Sequence, residues 1–212
     1  MRVTIFGASG GIGRQATMQA LTSGHEVTAV VRDTARLDVT HPELQVVCVP
    51  GLTDPDLLVP ALRGSDAVLS AVGPRGRSVG PVATTATRGI LTAMESIGVR
   101  RFVAVSAAPV GAIPDNESFV NRRIILPAVR ALLKNLYTDL TEMEELISRS
   151  ATDWTIVRPP KLVNRPLSGR YQIAIGRNAA RVYAISRADV AHAMLAALHN
   201  PATLRQLVGV GY

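Results

Sequence analysis

The sequence predicts an α/β fold, a Rossmann-type doubly wound parallel sheet. Three observations carry that expectation. Short valine-rich apolar runs alternate with helix-like segments along most of the chain. The runs are apolar almost without interruption, as a sheet covered on both faces requires. The first run then passes through Gly7, Gly10, Gly11 and Gly13 directly into a helix-like stretch.

The elements follow in order. Val3 to Phe6 is the first strand, followed by a helix over 12–22. Glu26 to Val31 and Leu44 to Val49 are the next strands, with a helix at 55–63. Ala67 to Val72 leads to a helix over 81–97, and Phe102 to Ser106 to one over 123–149. Thr155 to Val157 is the next strand. Leu167 to Ile175 and Ala180 to Ile185 are short strand candidates around a Gly176-Arg177-Asn178 turn. Arg187 to His199 reads as a helix started by Ser186, with Asp189 in its first turn. Residues 107–122 are the one long irregular stretch, in a position where active-site loops often lie.

Composition bounds the function. The chain has 212 residues, 47% of them hydrophobic, which suits a single domain over 1–212. Met1 runs almost at once into the first strand, leaving no room for a cleaved signal peptide. No apolar run reaches the roughly eighteen residues of a membrane helix. A cytoplasmic protein with no membrane partner is the expectation. Cys48 has no second cysteine to pair with, and its Val46-Val47-Cys48-Val49 setting reads as a small buried hydrophobe. The formal net charge is +7, yet the arginines are scattered and aromatic residues make up 4%. Nucleic acid is therefore not the expected partner; two or three arginines suffice for a polyphosphate ligand. His25, His41, His192 and His199 lack metal-ligand spacing, so no metal is expected.

Strand, glycine turn and helix together mark a dinucleotide site. In Gly7-x-x-Gly10-x-x-Gly13 the first glycine permits the tight turn. The second lets backbone approach a pyrophosphate, and the third lets the helix pack on the strand. Ser9, Gly11 and Ile12 complete the turn and open the helix, whose N-terminus offers free N–H groups to phosphate. Ala71, Val72 and Gly73 end the fourth strand, where the ribose of the cofactor would pass. The end of the second strand separates the cofactors. An NAD site usually carries an acid there for the ribose hydroxyls. Here Arg32 occupies the place and Arg36 follows one turn later, suiting a 2′-phosphate and NADP(H). Neighbouring Asp33 keeps NAD open. Arg75 and Arg77 could add positive potential nearby.

At this point the chain resembles the atypical short-chain dehydrogenases/reductases, NmrA-like in the broad sense. Its likeness is nearest to the flavin reductase/biliverdin-IXβ reductase type. The matching pieces are FGASGGIG, VVRDTARL, Ala71-Val72-Gly73, VAVSAA, TDWTIVRPPKL, PLSGRYQIAIG and AISRADVAHAML. The resemblance spans essentially the whole chain. It implies a small substrate-binding portion contributed by 159–185, NADPH use, and reduction of a planar conjugated acceptor. It implies that Ser106, at the end of the fifth strand, is the active-site serine, with Ala107 beside the nicotinamide. It also implies that Pro159-Pro160-Lys161-Leu162 turns against the nicotinamide carboxamide. On the residues alone a helix or turn cap is the lesser reading of Ser106, and Lys161 can equally be a surface lysine.

The usual Tyr-x-x-x-Lys pair of short-chain dehydrogenases is broken. The candidate Tyr137 is followed four residues later by Thr141, and Lys134 stands three before it. Asp139, Glu142, Glu144 and Glu145 read as a solvated helix face. Hydride transfer to a flavin, quinone or tetrapyrrole asks mainly for positioning and takes its proton from solvent. The favoured function is therefore an NADPH-dependent reductase of such an acceptor, with Ser106 and Tyr137 as catalytic candidates. A non-catalytic NAD(P)-binding redox sensor is the alternative, and sugar-type reduction or epimerisation ranks lower. Substrate contacts are expected from 107–122, Phe119 included, and from 163–185. The acceptor and the oligomeric state are left open.

Overall fold

The computed structural model describes residues 1–74, 80–114 and 117–212. Arg75 and Arg77 lie outside the described residues.

The chain runs β1 (Arg2–Phe6), α1 (Gly11–Thr22), β2 (Glu26–Val31), β3 (Leu44–Cys48), α2 (Val59–Leu62), β4 (Ala67–Ser70) and α3 (Val82–Ile97). It continues with β5 (Arg101–Val105), α4 (Leu126–Leu132), α5 (Lys134–Ser148), β6 (Asp153–Arg158) and β7 (Lys161–Val163). The last elements are β8 (Gln172–Ile175), β9 (Ala184–Ser186), α6 (Arg187–Leu198) and β10 (Gln206–Gly211).

Among the described residues eight strands form one sheet in the order β3-β2-β1-β4-β5-β6-β10-β8. All neighbours are parallel except β10 and β8. β7 and β9 pair separately, in parallel. Alternation along each strand feeds two cores. Val3 and Ile5 face a layer with Ala16, Ala20, Val190 and Met194 of α1 and α6. Phe6, Phe102 and Ile156 face a layer with Ile90, Met94, Met143 and Ile147 of α3 and α5. The chain reverses its winding between β1 and β4, which opens a crevice at the carboxyl ends of the strands.

Several expectations need correction. Cys48 is exposed, not buried, because β3 is an edge strand with one neighbour. The helix expected over 123–149 is divided. A wide π-type turn spans Asn121–Ile125, α4 follows, and Leu133 breaks the run with φ −110° and ψ 28°. Pro127 lacks the N–H that would have bonded Arg123, which accounts for the irregular first turn. The acidic face of α5 is only half solvated: Asp139 and Glu144 are buried. Asp139 accepts the N–H groups of Ala83 and Thr84, both at 2.8 Å, and so caps α3 from outside. Glu144 pairs with Arg158. The strand expected at Ala180 begins only at Ala184, because Arg181 takes a left-handed conformation, φ +56°.

Candidate functional site

The crevice at the switch point is a cleft of about 730 Å³. Gly7, Ser9, Gly10, Gly11 and Ile12 line it from the first turn, and Ala71, Val72 and Gly73 from the end of β4. Arg32 and Arg36 enter from the end of β2, and Leu162 from β7. Gly13 does not line the cleft. It is the packing glycine: a Cβ there would lie inside the Gly7 carbonyl oxygen's contact radius. Gly7 itself has φ +76°, and a Cβ on it would sit 2.7 Å from the Ala71 carbonyl oxygen. The turn is thus closed against β4 with no space for side chains, leaving its backbone face to the cleft. The Gly10 N–H bonds the Gly7 carbonyl at 2.8 Å, and α1 begins with no side-chain cap on its N–H groups. A dinucleotide pyrophosphate suits that bare helix end.

Asp33, the residue that kept NAD open, accepts the Ala35 N–H at 3.1 Å as cap of the short turn Thr34–Arg36. One of its oxygens is therefore committed to local backbone. Sequence reasoning missed Arg187. It lines the cleft from the start of α6, its Cδ 2.6 Å from where a Gly11 Cβ would stand, and donates to Asn164 Oδ1 at 2.6 Å. Pro50 to Thr53 and the start of α3 complete the wall. No local pattern joins these segments, so no sequence signal could have found them.

A second cavity of about 510 Å³ lies on the other side of β7. Ala107, Pro160, Lys161 and Tyr137 line it, with Ile125, Leu126, Val129 and Leu133 as apolar wall. Asn178, Ala179, Val182 and Tyr183 come from the region 163–185. Phe119 does not line it and stands 73% exposed, against the expectation that it contacts substrate. Burial pushes the Tyr137 phenol above its usual range, against a smaller pull from Arg130. Thr141 Oγ1 donates to the Tyr137 carbonyl at 2.7 Å, so it does not serve the phenol. Arg130 is fixed by the carbonyls of Pro109 and Gly111, at 2.8 and 2.7 Å.

Ser106 lines neither cavity. Its N–H bonds the Val157 carbonyl at 2.8 Å, and its hydroxyl is buried with no partner among the described residues. A buried hydroxyl without a partner is costly unless a ligand supplies one. It is no helix or turn cap. Pro159 accepts the Ala108 N–H at 2.8 Å, which ties the proline turn to the loop after β5.

The parallel order, the switch-point cleft and the glycine turn define a dinucleotide-binding α/β protein. The chain belongs to the NAD(P)H-binding family, whose pattern matches residues 7–201. An uncharacterised chloroplastic protein of Arabidopsis thaliana is 32% identical over 181 residues, covering 79% of this chain. This chain spans 61% of that protein's length. YhfK of Bacillus subtilis, named as an uncharacterised sugar epimerase, is 28% identical over 212 residues, covering 96% of this chain and 90% of its own. Among solved structures, a short-chain dehydrogenase/reductase of Veillonella parvula in complex with NADP superposes with TM-score 0.79 at 21% identity. It covers all of this chain and 94% of its own. ChuY, an anaerobilin reductase of Escherichia coli O157:H7, gives TM-score 0.79 at 22% identity, covering 99% of this chain and 96% of its own. At these identities the structural likeness is one of fold.

Proposed function

We propose that the chain is an NADPH-dependent reductase that delivers hydride to a planar conjugated acceptor such as a flavin, quinone or tetrapyrrole. One observation carries the reading. Consecutive residues of β7 face different cavities: Leu162 the cleft with the glycine turn, Lys161 the largely apolar one. A donor and an acceptor held in these spaces would be neighbours across a single strand. The cofactor supplies two electrons and a hydrogen nucleus as hydride; the acceptor takes these and a proton from solvent.

The protein's own part is placement. The bare start of α1 receives the pyrophosphate, and Arg32 with Arg36 receives the 2′-phosphate by charge-assisted hydrogen bonds. Ser106 lines neither cavity, and its hydroxyl, unpartnered among the described residues, becomes a donor only to a carbonyl of nicotinamide or acceptor that reaches it on binding. Ile125, Val129 and Val182 exclude water from a flat apolar molecule. Tyr137, pushed toward its neutral form, is a hydrogen-bond donor at the cavity wall rather than a base. Thr141 stands where the Tyr-x-x-x-Lys pair would place its lysine, which disfavours sugar-type ketone chemistry.

Anaerobic NADPH oxidation with FMN and then a simple quinone tests the reading. Saturable turnover, much weaker with NADH, supports it. Tight NADPH binding without turnover on either acceptor would instead favour a redox sensor.

A further inference from the structure

Residues 119–134 read FVNRRIILPAVRALLK. They carry Arg122, Arg123, Arg130 and Lys134, and no carboxylate stands between Glu117 and Asp139. The stretch forms the wide turn Asn121–Ile125, then α4, then the start of α5. Its apolar residues divide into two sets. Ile125, Leu126, Val129 and Leu133 line the second cavity. Phe119, Ile124 and Leu132 line neither cavity and are 73%, 60% and 83% exposed. Three large apolar side chains this exposed in one sixteen-residue stretch point to a contact surface.

The charges say what kind. Arg122, Arg123 and Lys134 are exposed, and none of them joins an ion pair among the described residues. A two-fold contact through this stretch would bring two sets of the same unpaired cations, and no carboxylate, to one interface, which is repulsive. An anionic surface meets both the cations and the apolar set. Spanning a bilayer needs about twenty apolar residues; lying on one needs only a helical stretch with apolar and basic sides. We propose that residues 119–134 dock the protein on an anionic phospholipid surface, apolar side chains at the acyl boundary and arginines among the phosphates. The inner set of the same stretch lines the acceptor cavity, so docking brings that cavity to the lipid. That consequence rests on the reductase reading; the docking itself does not.

The test is co-sedimentation of the whole protein with phosphatidylcholine vesicles and with vesicles containing added phosphatidylglycerol. Binding to the anionic vesicles only, weakened by salt, is expected. Leu132→Asp, and separately Arg122→Glu with Arg123→Glu, should each lower the partition by about tenfold or more. The melting temperature and the NADPH dissociation constant serve as controls for folding and should hold. Equal binding to both vesicles, or to neither, overturns the proposal. So does a dimer in sedimentation equilibrium that Leu132→Asp splits, which would give the face to a second copy. Preference for poly-glutamate over anionic vesicles would give it to an acidic protein and also overturns the lipid assignment.

Discussion

Arg158, the last residue of β6, is clamped to Glu144 of α5 at two points. Its Nε donates to Oε1 at 2.9 Å and its Nη2 to Oε2, with both side chains nearly out of solvent. The pair fixes the strand end from which the Pro159–Pro160 turn departs. Removing one partner leaves a buried charge alone. Glu144→Leu or Arg158→Met should each lower stability by about 3–5 kcal/mol, and the two together by clearly less than the sum. Urea unfolding of the three variants checks this. Additive losses would mean the pair is not coupled.

Asp189 is a fully buried carboxylate at the start of α6. Ser168 N–H, Gly169 N–H, Ser168 Oγ, Ser186 Oγ and Tyr212 Oη all donate to it, between 2.8 and 3.2 Å. Burial pushes its pKa up, but these donors outweigh burial and hold it below the usual 3.8. A lowered carboxylate pKa stabilises the fold above the unfolded value, and that contribution disappears as pH falls through the folded one. Asp189→Ala should cost about 3 kcal/mol near neutrality, with the gap from the parent protein narrowing below about pH 4. Thermal melts across pH 3–7 read both. A gap that does not change with pH would refute the charged network.

Arg32 and Arg36 project at the cleft, while Asp33 caps its own short turn. Arg32→Ala should raise the NADPH dissociation constant by about tenfold to a hundredfold and leave that for NADH within about twofold. Parallel titrations with the two nucleotides decide it. An equal loss for both would move the arginine away from the 2′-phosphate.

Ser106→Ala removes a buried hydroxyl that has no partner among the described residues. Folding should be unharmed or slightly improved, because the orphan atom goes. Turnover should fall by about a hundredfold if the hydroxyl meets charge that develops during transfer, while NADPH affinity holds. Single-turnover kinetics with FMN separates the two. Unchanged turnover would reduce Ser106 to a packing residue.

The alternation of strand and helix was legible because each buried strand announces itself as an apolar run, and the glycine turn because its spacing is local. β10 was not legible. Its QLVGVG reads as weak, yet Gly209 and Gly211 are there because 177–182 passes over them. A Cβ on Gly209 would stand 2.7 Å from the Arg177 carbonyl oxygen, and one on Gly211 2.7 Å from Val182 Cβ. Val46-Val47-Cys48-Val49 looked like any interior run, since sequence does not say which strand lies at the edge. Asp139 and Glu144 looked solvated because their partners, at 83–84 and 158, are far along the chain. The cleft at the switch point is lined largely by residues whose spacing is local, and the second cavity mostly is not: one is built from turns after strands, the other from segments that meet only on folding.

β7 is three residues long, and its first two side chains point into different rooms. Exchanging Lys161 changes the wall of the second cavity and leaves Leu162 facing the cleft. The two cavities can therefore be altered one residue at a time, each independently of the other.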